Sequence, residues 1–190
     1  MTAVFIQTED TPNPQTLKFI PGRIVLETGT YEFTSRDESW RSLLAKMLFD
    51  IPGVSSLYFS QDFISVTKDS GQDWSTLKPS LLGAIMDYYL AHDRANVIQE
   101  QQTTSMDSQE LSQVEKEIRD LIDQRVRPAV AQDGGDIVFD RFENGTVYVQ
   151  LKGACSGCPS SSATLKSGIE NMLRHYIPEV QAVEALPSTI

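Results

Sequence analysis

The chain has 190 residues, enough for one large or two small domains, and 40% of them are hydrophobic, enough for real cores. Its 16 basic and 26 acidic residues give a formal net charge of −10, which argues against nonspecific binding to nucleic acid or to an anionic membrane. No apolar run approaches the roughly 20 residues of a membrane span, and the N-terminus resembles neither a signal peptide nor an Arg-rich transit peptide. We therefore expect a protein of a reducing compartment whose partners are other proteins.

Extended structure is predicted for the first 33 residues. Short strands are predicted over residues 3–8 and 16–20, because the prolines at positions 12 and 14 favour a turn over residues 11–14 between them. A further extended segment is predicted over residues 24–33. These elements indicate a small sheet at the start of the chain.

Two amphipathic helices with a hairpin between them are predicted next. The first helix is expected from Asp37, with Ser35 or Asp37 as N-cap, up to the Pro-Gly pair at positions 52–53. Its apolar stripe is Trp40, Leu43, Leu44, Met47 and Leu48. The hairpin is expected over residues 54–67, before a second helix whose start is left open by Pro79. Its stripe is Trp74, Leu77, Leu81, Ile85 and Tyr88. We interpret both stripes as core.

The apolar periodicity is lost over residues 96–106, which are rich in Gln, Thr and Ser. We interpret this stretch as a polar linker between an N-terminal domain, residues 1–95, and a C-terminal domain, residues 107–190. Asp107 and Glu110 resemble a capping box and predict the start of a third helix. Its apolar face is Leu111, Val114, Ile118, Leu121 and Ile122.

Asn144-Gly145 lies between two β-rich runs and is the strongest short hairpin signal in the chain. It predicts a hairpin with strands over residues 137–142 and 146–151. The residues that follow predict a loop, a helix that ends at residues 177–178 and a last strand over 180–183. The face of that helix is Leu165, Ile169, Met172, Leu173 and Tyr176. The predicted fold class is α+β, with two small domains that each contain a short sheet and two covering helices.

The two cysteines, Cys155 and Cys158, lie three positions apart in a loop rich in Gly, Ser and Pro. Pro159 suits the first position of a helix, so the helix dipole should lower the pKa of Cys158, and we expect the pair to be ionised. Such a pair serves as a redox dithiol, half of a zinc site or part of an iron–sulfur site. A staple or simple packing is disfavoured by ring strain and by neighbours that offer no core.

Other polar groups are weaker candidates. Asp133 and Asp136 flank two glycines, and we favour a turn that joins helix to strand over an acidic shoulder beside the cysteine loop. His92 and His175 lie in separate segments, so we expect surface residues rather than metal ligands. The N-terminal domain has no cysteine, which leaves it a structural or recognition role.

Several motifs of the C-terminal domain occur together: RPAVAQDGGD at 127–136, the Asn-Gly hairpin, GACSGCPSS at 153–161 and TLKSGI at 164–169. In this combination, over most of residues 107–185, the chain resembles the C-terminal NifU domain of the Nfu-type iron–sulfur scaffold proteins. Residues 3–91, with QTEDTPNP at 7–14 and LKF at 17–19, are similar to the N-terminal domain that accompanies it in mitochondrial and many bacterial members.

The resemblance implies a [4Fe–4S] cluster held by Cys155 and Cys158 and passed to apo iron–sulfur proteins, with upstream cluster-assembly proteins as sources and no enzymatic activity. A four-iron cluster takes four outer ligands and the chain has two cysteines, so we expect one cluster per homodimer. The alternative is a thiol–disulfide oxidoreductase in which Cys155 attacks and Cys158 resolves. We expect a bacterial cytoplasmic protein, or a mitochondrial matrix protein if it is processed.

Overall fold

The computed structural model describes residues 5–95, 97, 112–156 and 159–186, with side chains from residue 163 onward in the last range. The chain divides into two compact units, Met1–Glu100 and Gln101–Ile190. Each unit contains a sheet and helices that pack on it, which confirms the predicted α+β class. Within the described ranges, every helix falls short of the length or apolarity that a membrane crossing requires.

The first unit is built on a five-stranded sheet with the order β1-β2-β5-β4-β3, in which all neighbours are antiparallel. The strands are β1 (Gln7–Asp10), β2 (Thr16–Ile20), β3 (Tyr31–Phe33), β4 (Val54–Phe59) and β5 (Ile64–Lys68). Two helices, α1 (Leu43–Phe49) and α2 (Trp74–Ala91), supply the other half of the core. The apolar core residues alternate along β2, with Leu17 and Phe19, and along β5, with Ile64 and Val66, but Lys18 and Ser65 between them are buried as well.

The first helix begins later than the sequence predicts. Arg36–Arg41 forms a separate 3₁₀ segment, and the extended backbone of Ser42 interrupts the helix before α1 begins. A 3₁₀ segment has three residues per turn, so its side chains do not continue the α-helical stripe. Trp40, in this segment, is 55% exposed, and Leu43, the first residue of α1, is 52% exposed, whereas Leu44 is fully buried. The prediction of one continuous helix with all five stripe residues in the core is wrong.

Pro79 lies inside the second helix and does not mark its start. Asp73 is the N-cap, its carboxylate accepts a bond from the Ser75 amide at 3.1 Å, and α2 begins at Trp74 with Pro79 inside it. The predicted apolar face is confirmed, because Leu77, Leu81, Ile85 and Tyr88 are buried. The extended segment expected over residues 24–33 forms a strand only at β3, although Val25 is fully buried.

The second unit has a three-stranded sheet with the order β6-β7-β8. Its strands are β6 (Gly135–Glu143), β7 (Thr146–Gly153) and β8 (Ala182–Leu186). The β6–β7 pair is the predicted hairpin, and Asn144 and Gly145 both have positive φ, +48° and +81°, as a type I′ turn requires. The last strand, β8, pairs parallel to β7 after α5 (Pro159–Tyr176) has crossed over.

A helix of three parts precedes this sheet: α3 (Gln113–Leu121), a π-helical turn (Ile122–Val126) and α4 (Arg127–Gln132). The capping box expected at residues 107–110 lies outside the described residues. The described helix begins with another capping box, in which the Glu115 amide donates to Ser112 Oγ at 3.3 Å and the Ser112 amide donates to Glu115 Oε2 at 2.9 Å. The buried face includes Ile118 and Ile122, as predicted.

Candidate metal centre

Cys155 lies in the turn that directly follows β7. Gly153 has a φ of +61°, and the Ser156 amide donates to the Gly153 carbonyl at 3.0 Å, which turns the chain immediately after the strand. The Ala154 amide donates to the Gly134 carbonyl at 3.2 Å, so the turn is attached to the corner between α4 and β6. Cys155 is only 7% exposed. Cys158 lies outside the described residues.

Gly135 makes room for the Cys155 thiol. A Cβ at Gly135 would lie 2.5 Å from Cys155 Sγ, 2.9 Å from the Lys152 carbonyl oxygen and 3.0 Å from the Cys155 nitrogen. Two of those three atoms are backbone, so they cannot rotate away as a flexible side chain would. Only glycine therefore lets β6 approach the cysteine turn this closely.

Asp133 lies in the turn before β6, and Asp136 is the second residue of that strand. Gly134 has a φ of +77°, so Asp133 and Gly134 form the predicted turn between α4 and β6. The charges of Asp133 and Asp136 also act on Cys155. The pKa of Cys155 is raised to about 12, mainly because the thiol is buried and to a smaller extent because of the negative charges of these two carboxylates. The expectation that the pair is ionised is therefore wrong for Cys155 in the free chain, because this thiol lies in the core rather than at a helix terminus.

Asp136, which is 4% exposed, is paired with an arginine. Arg127, at the start of α4, donates from Nε to Asp136 Oδ1 at 2.9 Å and from Nη2 to Oδ2 at 3.0 Å. Its Nη1 donates to Asp123 Oδ1 at 3.3 Å, and the Ile137 amide donates to Asp136 Oδ1 at 2.8 Å. The hydrogen bonds to Asp136 raise the pKa of Arg127 above its usual range. Sequence reasoning missed this pair, because nothing local connects residues nine positions apart on a helix and a strand.

The histidines are exposed, as predicted: His92 stacks on Tyr88 with the ring centroids 4.6 Å apart, and His175 lies near the end of α5. Among the described residues, His, Cys, Asp and Glu side chains do not gather in a group of three that could hold a metal ion. Cys155 is the cysteine that the described residues include. A soft metal centre here needs ligands beyond those of the described part of one chain.

We expect the stability of the apo protein to fall above about pH 8.5 in a way that depends on Cys155. The folded thiol, with a pKa of about 12, keeps its proton when the unfolded thiol, with a pKa of about 8.5, has lost it. The unfolded state then binds fewer protons, so stability declines through this window.

The measurement is the free energy of unfolding of reduced wild-type protein and of Cys155→Ala at pH 7.5 and pH 10. Wild type should lose about 2 kcal/mol more than the variant between the two values. Equal losses would mean that the thiol is not buried in the folded state. Cys158 is present in both proteins and cancels in the comparison.

Two family descriptions match the chain: "Scaffold protein Nfu/NifU N terminal" over residues 6–92 and "NifU-like domain" over residues 118–184. The human "NFU1 iron-sulfur cluster scaffold homolog, mitochondrial" is 49% identical over 182 residues, which are 95% of this chain and 71% of the human protein. The Drosophila ananassae protein of the same description is 45% identical over 185 residues, 95% of this chain and 64% of that protein. A solution structure of a NifU-like protein from Saccharomyces cerevisiae has a TM-score of 0.46 and 26% identity and covers 51% of this chain and 87% of that one.

Proposed function

The chain belongs to the Nfu family of iron–sulfur cluster scaffold proteins, and from this we propose that it carries a [4Fe–4S] cluster between two copies of its cysteine pair and passes it to apo proteins. The observation that carries the proposal is the thiol of Cys155, placed in a turn between β7 and α5 with Cys158 three positions on. Thiolates are the usual ligands of such clusters.

The ligand count supports a cluster shared by two chains. Each iron of a four-iron cluster takes one outer ligand, and the chain has only two cysteines. Two copies of the cysteine loop that meet on a two-fold axis would supply four thiolates. Cluster binding then provides the association energy, so the loaded protein is a dimer and the apo protein can be a monomer.

The environment of Cys155 favours a carrier over an electron-transfer protein. Both proposed ligands of a chain lie on one loop, so neither chain surrounds the cluster, and separation of the dimer exposes it. Burial and the charges of Asp133 and Asp136 oppose the thiolate form of Cys155, which weakens its hold on an anionic cluster. An acceptor with three or four preorganised cysteines therefore gains the cluster easily.

The alternative, a thiol–disulfide oxidoreductase, requires Cys155 to attack as a thiolate. The pKa of Cys155, raised to about 12 mainly by burial, opposes that role. The proposed carrier role requires no catalytic group. The relatives named above are described as mitochondrial, which supports the mitochondrial location over the bacterial cytoplasm.

The proposed transfer has a direct test. Protein reconstituted without oxygen should activate an apo acceptor of the aconitase type within minutes, in the presence of a chelator that captures free iron. The control is an equal amount of free iron and sulfide with the same chelator, which should activate nothing. A cluster that stays bound through this challenge and only changes oxidation state would show an electron carrier instead.

A further inference from the structure

The pair of Arg127 and Asp136 lies beside the cysteine turn without belonging to it. Asp136 is 4% exposed and follows Gly135, the residue whose Cβ would meet Cys155 Sγ. Arg127 comes from the start of α4, so its two bonds to Asp136 connect the helix to the first residues of β6. A carboxylate this deeply buried is strongly unfavourable without such a partner.

The Arg127 guanidinium also donates to a second carboxylate. Asp123, in the π-helical turn, accepts from Arg127 Nη1 at 3.3 Å. The bidentate geometry leaves little freedom, because a planar fork with two parallel bonds fixes both distance and direction. The position of β6 relative to α4 is therefore determined at this point.

The corner between α4 and β6 contacts the cysteine turn at two places. The Gly134 carbonyl accepts from the Ala154 amide at 3.2 Å, and Gly135 gives the space that Cys155 Sγ occupies. Both contact residues directly precede Asp136. A shift of Asp136 would therefore move the surface on which the Cys155 thiol rests.

We propose that Arg127 is a positioning residue for Cys155: through Asp136 it holds the corner against the cysteine turn and offsets part of a carboxylate charge beside the bound cluster. This rests on the proposed function, since it takes Cys155 as the cluster ligand. Without Arg127 the turn would be less firmly placed, and Asp136 would face an anionic cluster uncompensated.

The first experiment uses the apo protein and measures amide hydrogen exchange at Ala154, whose bond to Gly134 reports the contact directly. Arg127→Gln should lower the protection of this amide by about tenfold or more, which corresponds to a loss of about 1.4 kcal/mol in the local opening free energy. Amides in the middle of the β6–β7 hairpin should keep their protection. A merely structural role would lower both sets together.

Arg125→Gln is the matched control, because it removes the same charge two residues away and loses a 3.0 Å bond to Tyr176 Oη instead. Equal Ala154 protection in Arg127→Gln and Arg125→Gln would overturn the proposal. Should Arg127→Gln fail to fold, Arg127→Lys keeps the charge without the two-pronged geometry. Wild-type protection of Ala154 in Arg127→Lys would overturn the proposal as well.

The second experiment measures the rate at which a chelator removes the cluster from the loaded protein. Arg127→Gln should lose it about 10- to 100-fold faster than wild type. Arg127→Gln/Asp136→Asn, which removes the buried carboxylate together with its partner, should fall between them. A double variant as fast as the single one would overturn the charge part. A protein that binds no cluster, with the exchange result intact, would overturn the proposed function rather than the coupling of Arg127 to the turn.

Discussion

Cys155→Ala should abolish cluster binding and leave the protein monomeric under reconstitution conditions. The substitution removes one ligand per chain and therefore two of the four that a shared cluster needs. The remaining two thiolates cannot satisfy four irons, and without the cluster the proposed dimer loses its main association energy. Iron per chain should fall below about a tenth of the wild-type value.

Light scattering combined with iron and sulfide analysis measures both effects on one sample. Cys158→Ala should behave in the same way, since both cysteines are equivalent in the ligand count. Ser156→Ala is the matched control, because it changes a neighbour of Cys155 in the same turn without removing a thiol. A stable four-iron cluster on a monomeric protein would contradict the shared site.

Gly135→Ala should have a comparably large effect, although it adds only one methyl group. The new Cβ would lie 2.5 Å from Cys155 Sγ and within 3.0 Å of two backbone atoms of the adjacent β7 and its turn. Relief requires the cysteine turn to move away from β6, because backbone atoms on both strands are fixed by the sheet. We expect a loss of about 1–3 kcal/mol in the free energy of unfolding and a faster loss of the cluster to a chelator.

Gly168→Ala provides the matched control for this change. Gly168 lies in α5, and a Cβ there meets nothing within 4 Å. Alanine is preferred over glycine inside a helix by about 0.5–1 kcal/mol, so this variant should be neutral or slightly more stable. Denaturant unfolding of both apo variants, with chelation rates of the loaded proteins, tests the contrast. Equal behaviour of the two variants would mean that β6 does not confine Cys155.

The sequence predicts those elements whose signals are local. Asn144-Gly145 specifies its turn through positive φ, and the stripes of α2 and α5 specify helices through their periodicity. The interruption at Ser42 is less visible, because the stripe from Trp40 to Leu48 reads as continuous until the 3₁₀ geometry changes its phase. The last strand is predicted, but its parallel pairing with β7 depends on how α5 packs.

Only part of the candidate site is predictable from the sequence. The spacing of Cys155 and Cys158 identifies the loop directly. The burial of Cys155 is not predictable from its Gly, Ser and Pro neighbours, because the core cluster to which it belongs is formed by residues of separate helices and strands. The same holds for Arg127 and Gly135, whose roles arise from contacts between segments that are separate in the sequence.

The position of β7 in the middle of its sheet restricts how two copies of this chain can associate. Over Thr146–Gln150 this strand is paired with β6 on one side and with β8 on the other. An open strand edge is the usual template on which a second chain adds by backbone pairing, and aggregation often starts there. β7 offers no such edge over this stretch. Backbone pairing of a second copy with this strand is therefore possible only beyond Gln150, towards the turn that contains Cys155.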